Sequence, residues 1–400
     1  MRGLLICAVA SGLVLTACAS GATTSTSSTS AQLSACPKGQ SAPAGGRPGG
    51  GGQAPSGGQI PGGGQIPSGA QAPGAGQAPG GGALAGLPVA TSVAPSDTST
   101  SKVIDPTGAQ IQCGQTAVTT HNDITYSSAG MKLDVIAPKT DGKKPLVIYL
   151  PGGGFMSAGR TAALDQRTYI AEQGYVVASV QYRTINDGAV YSDAVADVKS
   201  AIRYLRAHAD EYGIDTGEAA VWGESAGGYL AAMVGVTNGV QKFESTENPG
   251  PSSDVQAVID KFGPSDLSAI GADFDATAKA GNTAAGNGAA QWVFGRGTTK
   301  SVLDDPATVA QANPVTYVDA SDPAFLLFHG SADTLVSPSQ TLLVHNALRA
   351  KGVDSTRYVV KGAGHGDLAV MSGDTNAALP WTTQEVVGDM VTFLNAKLKG

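Results

Sequence analysis

From about residue 120 onward, short apolar runs alternate with longer stretches whose apolar residues recur at helical spacing. Ile124-Thr125-Tyr126 and Lys132-Leu133-Asp134-Val135-Ile136 predict an opening antiparallel hairpin turning at Ala129-Gly130. Further strands are predicted at 146–150, 176–182, 219–222, 257–262, 324–328 and 356–360. Between them, Val195, Val198, Ile202 and Leu205 share one helix face, and Asp193, Asp197 and Lys199 make a solvated side. Strands alternating with helices predict an α/β domain, with a mostly parallel central sheet covered by helices on both faces. Residues 119–400 are long enough for one such core. The alternation breaks over 266–313, an Ala/Gly-rich insertion with isolated aromatics at Phe274, Trp292 and Phe294. It leaves the carboxyl side of the sheet and is expected to form a lid or acyl-pocket wall, against the alternative of an ordinary surface excursion.

The N-terminal part carries a different pattern. Met1-Arg2 precedes an apolar stretch from Gly3 to Val14, too short to span a bilayer comfortably, so residues 1–17 read as a signal peptide. Leu15-Thr16-Ala17-Cys18 resembles a bacterial lipobox. That resemblance implies lipid on Cys18 and an exported protein anchored to the outer face of the cytoplasmic membrane; a plain secretory cleavage site is the alternative. Gly21 to Ser34 is Ser/Thr-rich, and Gln53, Gln59, Gln65, Gln71 and Gln77 mark a proline-bearing six-residue repeat. Proline in each unit argues against a β-helix, and glycine does not recur every third residue as collagen requires. Residues 18–118 are therefore expected to form a disordered tether. With Cys7 lost in the leader and Cys18 lipidated, Cys36 and Cys113 remain as a pair that an exported protein could oxidise to a disulfide.

The chemistry concentrates in Gly223-Glu224-Ser225-Ala226-Gly227, between a strand-like run and a helix-like run. A serine on such a turn is exposed at the sheet edge, with a helix N-terminus behind it. The acid and the histidine follow such a serine in the chain. Of the five histidines, His121 and His208 precede it, His329 directly follows a strand and His345 lies within a helix. His365, on the glycine-rich loop 362–366 past the last strand, is the expected general base. Asp333, on the loop leaving strand 324–328, is the expected orienting acid; Asp354 and Asp367 are its rivals. Pro151-Gly152-Gly153-Gly154-Phe155 follows a buried strand and offers backbone N–H groups. Gly153, Gly154 and Ala226 are the expected oxyanion donors. A phosphate-binding reading of this loop lacks the Gly-Lys-Ser/Thr sequence and the acidic ribose ligand.

Together with Phe262-Gly263-Pro264-Ser265-Asp266-Leu267 and His329-Gly330-Ser331-Ala332-Asp333, these motifs resemble the α/β-hydrolase superfamily. The resemblance runs over roughly 120–400. It is to the esterase/lipase branch with an HGGG-type oxyanion loop, near carboxylesterases and feruloyl/acetyl-xylan esterases. It implies a serine carboxylesterase acting through an acyl-enzyme on short-chain or aromatic acyl esters, including those of a polysaccharide. One departure is Pro151, where the family usually carries histidine.

A formal net charge of −7 without a Lys/Arg cluster argues against nucleic acid as a partner. No Cys/His spacing suggests zinc, and no cofactor is implied. Two other classes remain at this stage: a serine peptidase of the same fold, and a tethered binding protein with a vestigial site.

Overall fold

Apolar residues in the short runs point alternately to opposite sides, and this alternation builds one sheet with two covered faces. The computed structural model describes residues 33–38, 88–366 and 379–400; the expected leader, Cys18, the glutamine repeat and Asp367 lie outside them. Strands β1 (Ser34–Ala35) and β3 (Gln112–Cys113) form a small antiparallel pair. The others are β2 (Lys102–Ile104), β4 (Val118–Thr125), β5 (Lys132–Pro138), β6 (Lys144–Leu150), β7 (Val176–Val180), β8 (Ile214–Glu224), β9 (Ala257–Lys261), β10 (Ala324–Gly330) and β11 (Ser355–Val360). These nine form one sheet in the order β2-β11-β10-β9-β8-β6-β7-β5-β4. Only β5 pairs antiparallel to its neighbours, β4 and β7, so the sheet is mostly parallel as expected.

Leu146, Ile148, Val221, Phe325 and Leu327 face one core with helices α2 (Tyr191–Ala207), α4 (Ala226–Gly235) and α8 (Ser339–Ala350). Val147, Tyr149, Trp222, Leu326 and Phe328 face the other, with α1 (Leu164–Glu172) and α9 (Gln384–Leu398). A short α3 (Ala209–Tyr212) precedes β8. Because β6, β8, β9, β10 and β11 run parallel, the loops that follow them meet at one sheet edge. That edge receives Ser225, Asp333, His365 and the glycine loop 152–154.

The expected tether boundary at 118 needs correction. Residues 88–118 are part of the folded unit: β2 extends the sheet beside β11, and Ala90 N–H donates to Thr334 O at 2.9 Å. Cys36 and Cys113 form a disulfide. The segment carries little apolar periodicity because edge pairing, backbone hydrogen bonds and the disulfide hold it.

The 266–313 stretch carries three short helices, α5 (Ala276–Asn282), α6 (Gly288–Phe294) and α7 (Pro306–Ala310). Asp275, Asn287 and Asp305 each cap one by accepting from backbone N–H groups in its first turn. Buried Trp292 stacks on Phe155, centroids 4.9 Å apart at 14°.

Asp260, on β9, is an isolated buried carboxyl. Oδ1 accepts from Gly263 N–H at 2.8 Å, while Oδ2 has no hydrogen-bond partner among the described residues. Gly228 and Gly263 approach so closely that a Cβ on either would collide with Oδ1. Burial pushes this carboxyl up to about 7. The folded protein therefore holds the proton over a range in which the unfolded chain releases it. Stability is highest below the ordinary aspartate value and falls as pH rises toward 7. The full effect is at most about 4 kcal/mol. Asp260→Asn should melt close to wild type near pH 4 and higher than wild type at pH 8. Melting curves that stay parallel across that range would refute this account.

Candidate active site

Ser225 sits where β8 ends and α4 begins, with φ 55° and ψ −121°, a conformation costly for any residue with a side chain. Its surroundings impose that turn. Ser225 N–H donates to Lys261 O on the neighbouring strand, and Tyr229 N–H donates to Ser225 O, both at 2.9 Å. A side chain at Gly223 would strike the Gly227 backbone, and one at Gly227 would strike the Leu150 carbonyl. The two motif glycines thus let strand, elbow and helix pack without a gap.

His365 lies on the loop after β11, and its Nε2 is 2.7 Å from Ser225 Oγ. Its Nδ1 is 2.7 Å from Asp333 Oδ2. A carboxylate accepts, so Nδ1 carries the proton and Nε2 is left to accept from the serine hydroxyl. Asp333 Oδ1 accepts from the N–H groups of Leu335 and Val336 at 2.9 and 3.0 Å. Burial alone would raise this carboxyl, but the imidazoles of His365 and His329 and their hydrogen bonds hold it well below the usual carboxylate range. The acid and histidine loops are stitched together by Ala332 N–H to Ala363 O at 2.9 Å and Gly362 N–H to Ser331 Oγ at 2.9 Å. Trp381 Nε1 donates to Gly364 O at 3.0 Å, and Phe262 packs between the Trp381 and His365 rings.

The rival Asp354 sits at the opposite end of β11, paired with Lys397 at 2.6 Å. The other histidines have structural partners. His121 meets Tyr212 edge-on, His208 bonds Tyr204 O, and His345 joins Ser355 Oγ to Thr100 O.

The glycine loop after β6 runs alongside the elbow. A Cβ on Gly152 would lie 3.2 Å from Ser225 Cβ, and one on Gly153 would overlap Ser157. At Pro151, Tyr182 Oη donates to the carbonyl oxygen at 2.6 Å, a buried brace at the position where the resembled family carries histidine. Gly154 and Ala226 line a cavity of about 80 Å³ together with Ser225 and His365. Its remaining wall is mostly apolar and includes Phe155, Pro264, Ile270 and Ala289, with the amides of Asn282 and Asn287. Four of these wall residues belong to the 266–313 insertion. Pro88, from the segment expected to be tether, also lines it.

Two features escaped sequence reasoning. Glu224, a variable position of the motif, pairs with the fully buried Lys261 at 2.7 Å, and Lys261 also donates to Gln166 at 2.8 Å. Buried lysine at a strand end has no sequence period to announce it. His329, expected to follow the strand directly, lies within β10 and stands 3.3 Å from Asp333. Among the described residues, no group of three or more His, Cys, Asp or Glu side chains has the arrangement of a metal site.

The BD-FAE family model matches residues 133–348, more than half of the chain. Among curated proteins, Esterase LipC of Mycobacterium tuberculosis is 30% identical over 230 residues, covering 56% of this chain and 53% of that protein. Probable carboxylic ester hydrolase LipM of the same organism is 28% identical over 254 residues, covering 60% and 52%. The chain thus spans about half the length of the curated relatives it matches. Among solved structures, a truncated carbohydrate esterase from gut microbiota superposes with a TM-score of 0.60 at 25% identity, covering 72% of this chain and 99% of that one. The α/β-hydrolase fold read from the motifs is the fold of these neighbours.

Proposed function

The chain belongs to the BD-FAE family, and from that membership we propose that it is a carboxylic-ester hydrolase acting through Ser225, His365 and Asp333. The carrying observation is the relay of two 2.7 Å hydrogen bonds from Ser225 Oγ through His365 to Asp333, opening into an apolar cavity. His365 Nε2 takes the serine proton as Oγ attacks the ester carbonyl, and Asp333 steadies the imidazolium that forms. Gly153, Gly154 and Ala226 N–H groups receive the oxyanion, a contribution of roughly 3–4 kcal/mol per donor in comparable sites. His365 then protonates the leaving alcohol, and water releases the acid by the same path.

The cavity favours a short acyl group. At about 80 Å³ it is smaller than the roughly 150 Å³ space that holds a benzene ring. The carbohydrate esterase likeness supports an acetylated sugar or polysaccharide as the alcohol side. The insertion, which lines the cavity, is the proposed acyl-pocket wall. Export with lipid on Cys18 belongs to the same proposal, and the Cys36–Cys113 disulfide supports an oxidising location.

The test is a panel of p-nitrophenyl acetate, butyrate and octanoate, methyl ferulate, acetylated xylan and a dipeptidyl p-nitroanilide. Acetate esters are expected to turn over fastest. Amide turnover matching that of acetate would point instead to a peptidase.

A further inference from the structure

His329, Thr341 and Arg357 form a buried chain behind the acid, and none of them takes part in the proton transfers above. His329 Nε2 faces two acceptors, Val336 O at 3.0 Å and Asp333 Oδ2 at 3.3 Å. A bare nitrogen there would repel both, so Nε2 carries a proton. On the other side of the ring, Nδ1 is 3.0 Å from Thr341 Oγ1, which also accepts from Arg357 Nε at 3.0 Å. While one lone pair of Oγ1 accepts from arginine, the threonine hydroxyl proton is donated to Nδ1. Arg357 is itself fixed by Pro338 O at 2.7 Å, Ser101 Oγ at 2.7 Å and Ser96 Oγ at 3.2 Å. Burial keeps the His329 imidazole below its ordinary value, consistent with one proton and a neutral ring.

We propose that His329 is a positioning residue for Asp333, its Nε2–H steering Oδ2 toward His365 and drawing negative charge from the carboxylate, with Thr341 and Arg357 holding its ring. This rests on the Ser225–His365–Asp333 reading. The chain's anchors at Ser96 and Ser101 lie in the segment upstream of the matched family region, so that segment supports the acid from behind. Among the described residues, the titratable groups around Asp333 are His365 from the loop after β11 and His329 on β10. Arg357 on β11 stands behind Thr341, facing Asp97 and Asp273, and the 334–336 turn offers only backbone groups.

Losing one hydrogen bond to a buried carboxylate should cost about tenfold in kcat, with KM little changed. His329→Leu is expected to show this loss in kcat at nearly unchanged KM, and His329→Gln, which keeps a donor near the Nε2 position, to restore kcat in large part. If His329→Leu does not fold, Thr341→Val against Thr341→Ser gives the same reading, since only valine removes the hydroxyl. Wild-type kcat in the leucine and valine variants, or equal losses in both members of a pair, would overturn the proposal. Ser225→Ala run alongside separates the two levels. Activity in that variant would sink the underlying triad, whereas a dead Ser225→Ala beside an unaltered His329→Leu would sink only the role of His329.

Discussion

Ser225→Ala is expected to lower kcat for p-nitrophenyl acetate by on the order of 10⁵- to 10⁶-fold, leaving the residual rate that binding and oxyanion donors supply. The variant keeps every contact that shapes the elbow, because Ser225 is held through its backbone to Lys261 and Tyr229. Melting temperature should therefore scarcely change, and the loss is one of chemistry. Ser225→Gly sharpens the test. With φ 55° and ψ −121° the position suits glycine, so relief of roughly 1–3 kcal/mol of strain should make that variant inactive and more stable than wild type. Ester turnover within tenfold of wild type in either variant would remove Ser225 from the mechanism.

Asp333→Asn should cost about 10³- to 10⁴-fold in kcat, through a tautomer rather than through lost packing. The N–H groups of Leu335 and Val336 both point at Oδ1 and demand an acceptor there. An asparagine would turn its oxygen to them and its amide nitrogen toward His365. A donor facing Nδ1 forces the imidazole proton onto Nε2, opposite Ser225, where the ring no longer accepts the serine proton. The amide would also face the Nε2–H of His329, adding a second mismatch. Near-normal turnover in this variant, with the fold intact by circular dichroism, would show that another group orients His365.

The sheet and the three side chains of the proposed triad were legible because each rests on a local rule. Apolar runs such as Leu146–Leu150 read as strands, and Ser225, Asp333 and His365 each follow one, in an order that left few alternatives. The structure brings those three within hydrogen-bond distance. What escaped was long-range. Lys102–Ile104 gives only three residues to a strand, and it pairs with β11 across more than 250 positions of sequence. Glu224 and the buried Lys261 reveal themselves as a pair only when β8 and β9 lie side by side. His329 looked like the end of an apolar strand, since nothing local shows that its ring turns back toward the acid four residues on. Proline at 151 removed a familiar landmark, and its buried partner Tyr182 comes from beyond β7, 31 residues later.

The bridge between Cys36 and Cys113 closes the residues between them into a covalent ring. A single peptide-bond cleavage anywhere within that ring opens it without releasing either end. Whatever precedes Cys36 stays attached to the folded body after such a nick, and separation requires a second event, reduction of the disulfide. Separation of the two parts is thus set jointly by protease and thiol, and an environment that supplies only the first leaves them covalently joined.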